Sequence, residues 1–115
     1  MRTREKKLSD YGITEERGRE LLRLAALEEN RQAVCEAAEE SNPYLAPYLV
    51  KSLRQGVGYY QVMGAMYFRP CTAADFYGYR RKTLAAFDKL LTGKEDRTMV
   101  SLLEEGQGRM ALKQP

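Results

Sequence analysis

The chain of 115 residues has few side chains that do covalent or metal chemistry: two cysteines, no histidine, and otherwise 19 cations and 16 carboxylates. Without histidine there is no imidazole for proton transfer or for a nucleophilic triad. Cys35 and Cys71 stand 36 positions apart with no Cys-x-x-Cys pair, which argues against a structural zinc site. Each is expected to pack as a small hydrophobe rather than to act as a nucleophile or half of a disulfide. Glu28, Glu29, Glu36, Glu39 and Glu40 crowd one short helical stretch without convergent spacing, and a solvated acidic face is expected there. With no phosphate-cradling glycine motif and no nucleophile beside a base, the chain is read as no enzyme, with no catalytic residue, metal or cofactor.

The cations are distributed more tellingly than the net charge of +3 suggests. Ala25 to Tyr48 holds five acidic residues against one basic, whereas Leu49 to Arg97 holds nine basic against four acidic. An anionic partner would meet the second segment. Within it, Thr72-Ala73-Ala74-Asp75 has the spacing of a capping box and should start a long helix. On that helix Phe76, Tyr79, Leu84, Phe87, Leu90 and Leu91 share one face, while Arg81 and Lys82 point outward. Arg80 falls at the edge of the apolar face and is expected to stretch over the core toward a carboxylate. A groove-reading helix needs small or polar first turns, long cationic side chains and an apolar back. Thr72, Tyr77 and Arg81 fit, with Arg81 expected at a base. Arg69, Lys82, Lys89, and Lys51 or Arg54 are candidate phosphate contacts.

Behind these residues the periodicity predicts an all-α fold, a compact bundle of about five helices. Residues 1–10 read as a mobile basic arm. A first helix over 15–26 starts at Thr14 and carries Gly18 on its exposed side, and a second spans 28–40. A third follows Asn42-Pro43 to about Gln55. A fourth covers 59–67, and after a break at Arg69-Pro70-Cys71 the long helix runs to Leu91, with Gly93 as its cap. The helical domain is thus 11–93 with a helix-turn-helix at 58–92, followed by a weakly structured tail over 94–115 with at most a weak helix at 95–104. Ten of the eleven aromatics lie between Tyr44 and Phe87. Tyr48, Tyr59, Phe76, Tyr79 and Phe87 should build core; Tyr60, Tyr67 and Tyr77, where exposed, would suit a protein partner. No apolar run approaches the roughly 20 residues of a membrane span, and MRTREKKLSD lacks a signal peptide's apolar core, so a cytoplasmic protein is expected.

The segment Asp75, Phe76, Tyr77, Gly78, Tyr79, Arg80, Arg81, Lys82, Thr83, Leu84 resembles the Asp-Phe-Tyr-x-Tyr-x-Arg-Lys-x-Leu segment of small prophage and mobile-element proteins of Firmicutes. Those proteins also begin much as MRTREKKLSDYG does. More broadly, Tyr60 to Phe87 is similar to region four of the sigma factors and the phage late-gene regulators built like it. The resemblance implies a sequence-specific regulator bound to double-stranded DNA, with the helix after Thr72 in the major groove. As the alternative, a mobile-element setting also admits a protein-binding inhibitor or accessory factor, of the anti-CRISPR kind, directed at a host protein such as RNA polymerase or a nuclease.

Overall fold

Thr14 opens the first helix through its hydroxyl, which accepts the amide of Arg17 at 3.0 Å, and Glu15 and Glu16 occupy the first turn where the helix dipole favours carboxylates. This helix, α1 (Glu15–Ala25), leads through a 3-10 turn (Glu28–Asn30) to α2 (Arg31–Ser41), α3 (Ala46–Gln55), the short α4 (Tyr59–Met63) and the long α5 (Ala73–Gly108). A computed structural model describes residues 1–64 and 68–108, with side chains to residue 93. Among the described residues every regular element is helical, and the chain is an all-α bundle of five α-helices.

Local chemistry moves several boundaries. The Asn42 carboxamide oxygen accepts the amides of Tyr44 and Leu45, so a turn precedes α3 and delays its start beyond Pro43. Gly56 ends α3 at φ 67, and Gly64, at φ 56, ends α4 at Met63 rather than Tyr67. Tyr67 itself lies outside the described residues. Gly93 was expected to cap α5 but keeps helical backbone, because a glycine stops a helix only where the chain turns left-handed. The expected tail from residue 94 is accordingly helical backbone as far as Gly108; residues 109–115 lie outside the described part.

The long helix is the axis of the bundle. Near its start the fully buried Phe76 belongs to a cluster with Leu45, Leu49, Tyr59, Val62 and Met63. Two to three turns later Leu84 and Phe87 join Leu21, Ala25, Val34, Ala37 and Leu53 in a second cluster. Thr83 to Phe87 are buried without interruption, so the helix is enclosed on every side at its waist. Of residues 73–93 only Ala74, Lys89 and Thr92 are exposed.

Polar links fasten the other helices to this axis. Arg17 of α1 reaches Asp88 with both Nε and Nη2, at 3.1 and 2.7 Å, and the Ser41 hydroxyl donates to the Tyr79 carbonyl at 3.2 Å. Arg54, expected at phosphate, instead donates Nε to the Ala25 carbonyl at 3.2 Å and pairs with Glu28 at 3.1 Å. The last carbonyls of α1 have no intrahelical partner, and a nearby guanidinium satisfies one of them.

Candidate functional site

The turn before α5 is built around Tyr59. Its amide donates to the Tyr77 hydroxyl at 2.9 Å, its own hydroxyl donates to the Cys71 carbonyl, and its ring packs on Phe76. Tyr77 is thereby turned inward, against the expectation that it faces a partner: its oxygen lies 2.7 Å from where a Cβ on Gly58 would stand. Tyr60, next along α4, is 66% exposed and meets Tyr59 edge to face at 5.0 Å. The exposed guanidinium of Arg69 lies over the Tyr60 ring at 5.3 Å and the Tyr59 ring at 5.7 Å. Beside it Phe68 is 83% exposed.

Thr72 accepts the Asp75 amide at 3.2 Å, as the capping box predicts, but the reciprocal bond is replaced. The Asp75 carboxylate pairs with Arg4 at 3.1 Å instead. α4 has only five residues and ends at Met63, ahead of Arg69-Pro70-Cys71, and α5 begins at Ala73. Burial, then Asp75, raises the pKa of the Cys71 thiol, which keeps it protonated and weakly nucleophilic at neutral pH.

The outer face of α5 is covered by the segment expected to be a mobile arm. Residues Thr3–Glu5 and Leu8–Tyr11 form 3-10 turns that lie across it. Arg81 donates Nε to the Lys6 carbonyl at 2.6 Å and Nη2 to the Arg4 carbonyl at 3.2 Å. The guanidinium expected to reach a DNA base is thus half-buried and held by backbone acceptors of its own chain. Gly78 makes room for this: a Cβ there would stand 2.7 Å from both the Arg4 Cα and the Thr3 carbonyl oxygen. Gly18, expected on the exposed side of α1, is buried for the same reason, with Leu8 Cδ1 2.9 Å from its absent Cβ. Two glycines inside helix interiors were the signal in the sequence that something crosses both helices closely.

Arg80 behaves differently from its neighbour. Nε donates to the Ser52 hydroxyl at 2.7 Å, and that hydroxyl in turn donates to the Val57 carbonyl. The expected carboxylate partner is replaced by a hydroxyl, and burial pulls the Arg80 pKa below the ordinary arginine value. Lys82 is half-exposed and Lys89 exposed; both line a shallow depression with Tyr11, Glu40 and Ser41. The acidic edge of α2 thus reaches this part of the basic helix.

The residues marked in the sequence therefore separate. Arg69 and Thr72 stand together at the turn with Tyr77 behind them, Arg81 lies under the arm, and Lys82 and Lys89 sit beside α2. Thr72 and Lys89 are roughly 25 Å apart along the axis at about 1.5 Å per residue. Among the described residues no three Cys, Asp or Glu side chains converge to hold a metal ion, and no helix is long and apolar enough to cross a membrane. No protein-family model, curated protein or solved structure matches the chain.

Proposed function

We propose that this protein works without catalysis, by binding a protein partner through the surface around Tyr60, Phe68 and Arg69. The observation that carries this reading is the Arg69 guanidinium braced over an exposed tyrosine ring, next to an exposed phenylalanine. Aromatic and arginine side chains dominate the binding energy of protein interfaces, and a cation already held on a ring loses less freedom on docking. In the mobile-element setting that the sequence resemblance implies, the partner is a cytoplasmic host protein such as RNA polymerase or a nuclease, and the chain an inhibitor or accessory factor.

A second reading, a regulator bound to double-stranded DNA, is favoured by one observation. Thr72, just before the long α5, and Ala74, in its first turn, are exposed, and so is Arg69 in the preceding turn. Arg81 reaches a base only once its two carbonyl acceptors are removed.

The two readings part in a titration against a mixed-sequence duplex at low and moderate salt. Protein binding predicts no affinity with a steep salt slope, and it predicts that Tyr60→Ala and Arg69→Ala abolish capture of purified host RNA polymerase or nuclease while leaving the fold intact. Affinity for the duplex that falls steeply with salt, with a slope reduced in Lys82→Ala and Lys89→Ala, would replace the first reading with the second.

A further inference from the structure

Residues 1–7 are attached to the bundle in a different way from residues 8–13. None of the first seven is buried, and Met1 is 79% exposed. They are held to α5 by the two Arg81 hydrogen bonds and by the Arg4–Asp75 pair, whose side chains keep 39% and 41% of their exposure, and to the next turn by Lys6 over the Tyr11 ring and the Lys7 amide on Asp10. Past Lys7 the attachment becomes apolar. Leu8 packs over Gly18, and Ile13, 4% exposed, belongs to the cluster of Leu21 and Phe87, its amide closing onto the Leu8 carbonyl at 3.0 Å. Segments that open by themselves in a folded protein are those with few buried apolar contacts and solvent-exposed hydrogen bonds. Residues 1–7 bury none of their own residues and are held by one exposed and one half-buried hydrogen bond, whereas Ile13 anchors residues 8–13 in the core.

We propose that residues 1–7 are a latch, which covers the Gly78 and Arg81 face of α5 when closed and detaches alone when open, while the five helices stay packed. Beside Arg2 and Lys7, which are exposed already, opening frees the Arg4 and Arg81 guanidiniums and the Asp75 carboxylate together. Closing withdraws them by satisfying Arg81 with this chain's own carbonyls. The latch is autoinhibitory toward any ligand that needs Arg81, and it does not depend on which partner the protein binds through Tyr60 and Arg69.

Limited trypsin digestion of the folded chain tests this, because Arg2, Arg4, Lys6 and Lys7 are all cleavage sites, with hydrogen exchange of the Glu5 and Lys6 amides read against those of α5. Cleavage in the arm should outrun cleavage elsewhere, yet remain slower than in a peptide of residues 1–10. It should quicken severalfold between low and moderate salt, since a half-exposed ion pair is screened. In Gly78→Ala the new Cβ meets arm backbone rather than the end of a flexible side chain, which disfavours the closed position, so the arm should be cut severalfold faster. The melting temperature should hold, because alanine is the better helix former. Arg81→Gln is the second variant and should release the arm without touching the core. Arm amides that exchange only with those of α5, an arm cut as fast as the free peptide in the unaltered protein, or variants cut at the unaltered rate would each overturn the latch.

Discussion

Two arginines flank the start of α5 and have opposite fates. Arg81 has two backbone carbonyls within 3.2 Å and is half-buried under residues 1–7. Arg69 has aromatic faces at 5.3 and 5.7 Å and remains exposed. Both belong to the positive half of the chain, and sequence assigns both to the same task. The difference shows that a cation's availability is set by the acceptors the fold brings to it. A guanidinium carries five N–H groups in a fixed fork, so carbonyls turned toward it hold it firmly, whereas a ring attracts it without satisfying those donors. The covered part of α5 therefore contributes to stability, while the turn before it keeps its guanidinium exposed.

Substitutions in the two regions should bear this out on very different scales. Phe87→Ala removes a fully buried ring from the waist of α5 and should lower unfolding stability by about 3–5 kcal/mol, read from denaturant midpoints. A loss near zero there would mean that the waist is not core. Arg17→Ala breaks the half-buried link from α1 to Asp88 and should cost about 1–2 kcal/mol, whereas Arg19→Ala, whose pair with Glu15 is largely exposed, should change stability by less than about 0.5 kcal/mol. Equal effects of the two would erase the distinction between enclosed and solvated arginines. Arg69→Ala should cost no more than about 0.5–1 kcal/mol, the scale of an exposed cation over a ring, while abolishing partner capture.

The smallest effect concerns pH. Arg17, and after it Arg23, holds the Glu20 carboxyl below its ordinary value of 4.5. A carboxyl depressed in the folded state contributes stability above its unfolded value and loses it as pH falls through the folded one. Melting temperature should therefore drop on acidification below about pH 4.5, and Glu20→Gln should flatten that part of the profile. An unchanged acid slope in Glu20→Gln would remove Glu20 from the account.

Much of the scaffold was readable without coordinates. Thr14 and Thr72 mark helix starts because their hydroxyls answer backbone amides only a few residues away. Phe76, Leu84 and Phe87 share a face by a 3.6-residue repeat and are buried together. Gly56 ended α3 where expected, but Gly93 did not end α5, because a glycine permits a left-handed stop without compelling one. The break at Arg69-Pro70-Cys71 was legible in place, whereas the end of α4 at Met63, set by Gly64 at its positive φ, was not. The candidate site was read least well: Tyr77 turned inward, Arg54 closed α1, and residues 1–10 docked.

What the sequence by itself determined was an all-α chain, the starts of α1 and α5, the apolar stripe of α5 and the lack of histidine chemistry. These follow from contacts within a turn or two, or from composition. Only the tertiary structure decided which cations are free. The acceptors of Arg81 lie 75 and 77 residues away in the chain. Helical periodicity reports which way a side chain points but carries no record of what another segment lays across it.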